Sequence, residues 1–311
     1  MVGLSLVAVF AIAAIAASSA SALPEWGKCE AKAGGNFTDS NCTVKSKPKG
    51  TGSFEWRKGK ELANVKFTGH SVGSGGVLSS VGLECQGGTS GFQRVSRKKC
   101  EEGGGKVVED FTAEEPIFVE CATETNSGET SSTNKILNVL VKFTGCAAFG
   151  SLPCQSSGLK EGEIKTNLLK GQLGYISKPA KEAGVVLSPA KAKGQFAEFA
   201  CPGIGLGTAV GVGNSKEGAF YEPETTGGYD GIISPITPVN TMTSEYTQVF
   251  TTTVTGKALE NVPNKFEGKH RDSLEDYIFQ VGSPNESLMW SAAGEEITNV
   301  NTSAEPGEIK A

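Results

Sequence analysis

Gly69-His70-Ser71-Val72-Gly73 has the G-x-S-x-G form of a nucleophile elbow, in which a tight strand-to-helix turn exposes a serine for attack on an acyl carbon. Asp230 and His270 complete a formal triad in the chain order of that enzyme class, the histidine as base and the aspartate orienting it. Frequency and context both weaken this reading. With 41 glycines and 29 serines in 311 residues, about 0.5 such matches arise by chance. Ser71 is followed by Gly73-Ser74-Gly75-Gly76 and then an apolar strand pattern, where the elbow needs a helix. No catalytic residue is therefore expected, and a serine hydrolase using Ser71 stands as the alternative.

Other candidate chemistry is weaker. The S-x-x-K signature occurs at Ser46/Lys49, Ser96/Lys99, Ser132/Lys135 and Ser188/Lys191, a background frequency, with no S-D-N or K-T-G beside it. Gly203-Ile204-Gly205-Leu206-Gly207 lacks the G-x-G-x-x-G spacing of a phosphate cradle. The adjacent acids Glu101-Glu102, Glu114-Glu115 and Glu295-Glu296 would point to opposite faces of a strand. No calcium loop and no C-x-x-C occur, and His70 and His270 are the only histidines, so neither metal nor cofactor is expected. Flat rings at Trp26, Trp56, Tyr221, Tyr229 and Trp290 could stack on sugars. A glycan-binding module working through Trp56, Tyr229 or Trp290 is thus a second alternative.

The elements that would carry these residues read as strands. Lys135–Thr144 alternates, with Leu137, Val139, Val141 and Phe143 expected on one face, and Tyr246–Thr255 is rich in Thr, Val and aromatic residues. Further strands are expected at Ser53–Arg57, Asn64–Thr68, Val77–Cys85, Ile117–Thr125, Glu163–Asn167, Gln172–Ser177, Gln195–Ala200, Tyr277–Val281 and Glu296–Thr302. Lys178–Lys193 has helix-friendly Ala and Lys, but Pro179 and Pro189 limit it to about a turn of helix. Many short strands between turn signals predict an all-β fold, an antiparallel sandwich or open barrel.

Val2–Ala17 is apolar and ends before Ala20-x-Ala22, the pattern of a secretory leader cleaved after Ala22. It falls short of the roughly 20 residues of a membrane-spanning helix, so no membrane span is expected after leader removal. All eight cysteines follow the leader, and an even count in an exported chain predicts disulfides. Proximity suggests Cys29–Cys42, Cys85–Cys100 and Cys146–Cys154, leaving Cys121–Cys201. Residues 23–60 read as a small disulfide-closed hairpin unit, and 61–311 as the main β domain. A net charge of −5 speaks against nucleic acid as a partner, and the one basic cluster, Arg97-Lys98-Lys99, is followed at once by Glu101-Glu102.

Pro24-Glu25-Trp26-Gly27-Lys28-Cys29, Phe37-Thr38-Asp39-Ser40-Asn41-Cys42, Phe143-Thr144-Gly145-Cys146, Gly162-Glu163-Ile164-Lys165-Thr166-Asn167 and Ser234-Pro235-Ile236-Thr237-Pro238-Val239-Asn240 carry a resemblance. In these stretches the chain resembles a group of uncharacterised secreted proteins of soil actinobacteria. The resemblance implies export but no activity. The expectation is an exported, non-enzymatic binding or structural protein, whose partner could be cell-wall glycan or another envelope protein.

Overall fold

A computed structural model describes residues 23–61, 64–79, 84–86, 93–94, 106–108, 117–191, 194–214, 219–220, 230–255, 258–281 and 283–311. The first strands are β1 (Glu25–Gly35), β2 (Gly52–Lys58), β3 (Val65–Ser71) and β4 (Gly75–Ser79). A small separate sheet holds β5 (Glu84–Gln86), β6 (Gln93–Arg94) and β7 (Lys106–Val108). Then come β8 (Ile117–Cys121), β9 (Thr123–Ser131), β10 (Lys135–Thr144), β11 (Ala147–Ala148), β12 (Leu152–Pro153) and β13 (Ile164–Lys165). These lead into β14 (Leu169–Ser177), β15 (Glu182–Pro189), β16 (Gln195–Cys201), β17 (Leu206–Asn214), β18 (Ala219–Phe220) and β19 (Ile232–Thr237). The last are β20 (Thr243–Thr255), β21 (Ala258–Val262), β22 (Lys265–Phe266), β23 (Lys269–His270), β24 (Leu274–Gln280) and β25 (Ser283–Lys310). The fold is all-β, and among the described residues no helix is long and apolar enough to cross a membrane.

Of the two expected layouts the barrel forms, and it closes. The antiparallel order β3-β9-β10-β14-β15-β19-β20-β25 returns from β25 to β3. Closure removes the free edges that an open sheet would expose. The strand β25, 28 residues long, makes this possible by reaching β20 on one edge and β3 on the other.

The same strand runs on into a second curved sheet. There β16, β17, β24, β25, β4, β8, β11 and β12 pair in sequence. The ends of this sheet meet where Gln155 and Ala200 exchange two backbone hydrogen bonds, of 2.8 and 2.9 Å. Three more chain runs, β3–β4, β8–β9 and β10–β11, likewise pass from one ring into the other. The main apolar core fills both, from Ile136, Leu173 and Ile232 to Phe199 and Val212.

Two of the disulfides lock this junction. Cys29–Cys42 forms as expected, but the other described pairs are Cys121–Cys146 and Cys154–Cys201, not Cys146–Cys154 and Cys121–Cys201. Proximity along the chain misleads because Cys146 and Cys154 bracket the β11–β12 hairpin, which already holds them through Cys154 N–H to Cys146 C=O, 3.0 Å. Each sulfur instead reaches the strand outside that hairpin, β8 or β16. Cys100 of the expected pair Cys85–Cys100 lies outside the described residues, as do the leader, Arg97-Lys98-Lys99, Glu101-Glu102 and Glu114-Glu115.

Two local expectations are corrected. In β10 a bulge between Ile136 and Val139, with Asn138 at φ 55°, shifts the register, so Ile136 and not Leu137 is buried beside Val139 and Phe143. Residues 182–189 form β15, not a helical turn, because β14 and β19 pair with both its edges. That pairing outweighs the helical preference of Ala and Lys.

The N-terminal hairpin β1–β2 is stitched to β25 through Glu25, Trp26 and Gly27 opposite Lys310, Ile309 and Glu308. Lys310 Nζ then lies 4.4 Å from the ring centres of both Phe37 and Trp56 and donates to Cys42 C=O at 2.6 Å. Lys310→Met is expected to cost about 2 kcal/mol of stability by removing these contacts. Urea unfolding checks it, and an unchanged midpoint would refute the clamp.

Candidate functional site

Strand register decides which side chains enter the first barrel, since residues directly opposite one another share a face. In β3, Phe67, Gly69 and Ser71 point inward, while Lys66, Thr68 and His70 are exposed. Across the ladders this gives two rows. One runs Gln248, Asn299, Ser71, Glu124, Phe143, and the next runs Tyr246, Asn301, Gly69, Asn126, Val141. One wall of the interior is therefore polar and the opposite wall, with Ile136, Val139, Phe143 and Leu169, is apolar.

The polar wall is short of hydrogen-bond donors. Asn301 donates to Gln248 Oε1 at 2.9 Å, and Gln248 donates to Ser234 Oγ at 2.9 Å, which turns Asn301 Oδ1 toward the cavity. The buried oxygens Asn126 Oδ1, Asn299 Oδ1 and Asn301 Oδ1 have no hydrogen-bond partner. A side chain at Gly69 would collide with the amides of Asn126 and Asn301, so glycine there lets the two approach each other. Glu295 lines the same cavity, whose volume is about 80 Å³.

Burial sets the charge of this wall. Glu124 is 1% exposed, and desolvation pushes its carboxyl up to about 7 against the lowering effect of the Asn126 amide. Desolvation, joined by repulsion from Glu124, pushes Glu295 up to about 8. Glu296, next in the chain, is exposed, so this adjacent pair points to opposite faces as expected.

Above the cavity the barrel opens into a mouth of about 380 Å³, a size typical of small-molecule sites. The two spaces adjoin at Phe67, Ile136, Gln248 and Asn301, which line both. Trp26 meets Tyr246 edge-to-face at 5.3 Å, and Lys28 pairs with Glu305 at 3.7 Å on the rim. The ring of Phe67 lies over Gly128, directly opposite in β9, where a side chain would strike it.

Of the sequence-derived candidates, Ser71 and Glu295 stand at this wall and Trp26 lines the mouth, and the others fall elsewhere. Ser71 Oγ accepts the Glu124 N–H at 2.9 Å, and β4 follows where the elbow requires a helix. Asp230 is paired with Arg271 at 3.1 Å, and His270, exposed, lies 3.0 Å from Glu260. Each side chain of the formal triad thus has a partner outside it. Trp56 donates to Glu25 Oε1 at 2.8 Å and takes Lys310 on its face, so it serves the N-terminal hairpin. Tyr221, Tyr229 and the side chain of Trp290 lie outside the described residues. Among the described residues, no group of three or more His, Cys, Asp or Glu could hold a metal ion.

Sequence reasoning missed Glu124, Asn126, Gln248, Asn299 and Asn301, and named Glu295 only as one of an adjacent pair of acids. Their available signal was the spacing E-x-N and N-x-N within strands, which puts the polar residues of each pair on one face. No protein-family model, curated protein or solved structure matches the chain.

Proposed function

We propose that this chain is an exported, non-catalytic binding protein of the cell envelope or extracellular space, which holds a small molecule in the mouth and interior of its first barrel. The observation that carries this reading is the adjacency of an aromatic-lined mouth to an interior wall of unpartnered amide acceptors, the two sharing Phe67, Ile136, Gln248 and Asn301. Buried polar groups left unpaired cost stability, so their convergence on one cavity suits a ligand or water that completes them. Export is supported by the leader pattern, with cleavage after Ala22, and by the disulfides.

The test is binding of the uncharged fluorophore N-phenyl-1-naphthylamine to the oxidised mature protein. Saturable enhancement is expected, reduced about tenfold or more in Ser303→Trp, which places an indole in the mouth. Enhancement that is absent, or that Ser303→Trp leaves unaltered while the variant melts like the parent, removes the reading.

A further inference from the structure

From the acceptor wall and the apolar mouth together, we infer that the ligand is an amphipathic organic amine, its ammonium head against Asn126, Asn299, Asn301 and Glu295 and its apolar body in the mouth. The inference rests on the binding reading above and names the ligand class for that site. An ammonium carries three hydrogen-bond donors and no acceptor. That complements the amide oxygens of Asn126, Asn299 and Asn301, three acceptors that line the cavity without a hydrogen-bond partner.

Charge points the same way. Two desolvated carboxyls, Glu295 lining the cavity and Glu124 buried beside it, hold protons that an incoming cation would displace, so a positive head relieves what desolvation disfavours. A carboxylate or phosphate head would meet the three amide oxygens as repulsion. Size and polarity favour an organic amine over a bare metal ion. The interior of about 80 Å³ holds a head group and its first carbons. Trp26, Phe67, Ile136, Ile236 and Tyr246 of the mouth offer apolar surface that a hydrated ion would not use.

The experiment is calorimetric titration of the oxidised mature protein at pH 7 with octylammonium chloride, 1-octanol, sodium octanoate and calcium chloride. Octylammonium is expected to bind at least tenfold more tightly than octanol, with octanoate weaker still. Asn299→Leu and Glu295→Gln are each expected to weaken octylammonium about tenfold. The comparison of probes on the unaltered protein stands even where a variant fails to fold. Octanol or octanoate binding as well as octylammonium, or calcium binding in its place, overturns the amine. If the fluorophore binds and octylammonium does not, the amine is wrong and the barrel-mouth reading survives. If neither binds, both fail.

Discussion

Replacing Cys154 and Cys201 together by alanine is expected to lower the unfolding free energy by about 4 kcal/mol, the largest loss among the described disulfides. The bond closes a loop of 47 residues, against 25 for Cys121–Cys146 and 13 for Cys29–Cys42. Loop-closure entropy makes the three worth about 4, 3.5 and 3 kcal/mol in that order. Position adds to length. Cys154 and Cys201 adjoin Gln155 and Ala200, whose two backbone hydrogen bonds bring the ends of the second ring together, with Ser156 Oγ donating to Glu198 C=O at 2.8 Å beside them. Chemical denaturation of the three double variants gives the ranking, and peptide mapping without reductant gives the pairing. Recovery of a Cys146–Cys154 peptide, or equal losses for all three variants, would contradict this account.

Glu124→Gln should stabilise the protein, and only above a certain pH. Burial raises the Glu124 carboxyl from 4.5 to about 7, so between those values the folded protein keeps a proton that the unfolded chain has released. Folding is therefore favoured below pH 4.5, loses ground as pH rises toward 7, and carries the full penalty above that. The penalty is on the order of 3 kcal/mol at pH 8. Glutamine, neutral throughout, should recover much of it at pH 8 and change little at pH 4.5. Urea unfolding at the two pH values tests this. A Gln variant that is less stable at pH 8, or that follows the parent's pH profile, would show that Glu124 is ionised at no cost. A stabilising change at a binding wall would also show that the wall is maintained for something other than stability.

Alternation of apolar and polar residues was enough to place β10 at Lys135–Thr144 with its observed bounds, and β3, β14 and β20 within a few residues, but it left out β15 and β19 and caught only parts of β9 and β25. It could not place the faces. The turn of the chain at Asn138 exchanges Ile136 for Leu137 on the inner side, and no local pattern announces it. The acceptor wall was hidden for a related reason. Asn299 and Asn301 alternate with Thr298 and Val300, and polar residues in such a strand are ordinarily read as its solvent side. Only the pairing of β25 with β3 and β20 shows that these amides face the interior. The cysteine partners were likewise settled by which strands lie side by side, a property of the assembled sheets.

The strand shared by both rings also governs how quickly the molecule can assemble. Lys310 at its end meets Cys42, 268 positions away, and such remote pairings must bear their chain-entropy cost before any contact repays it. Refolding with the native disulfides intact should therefore belong to the slow, millisecond-to-second regime of topologically complex β proteins. Until β25 docks, both sheets present raw edges on which neighbouring molecules can polymerise.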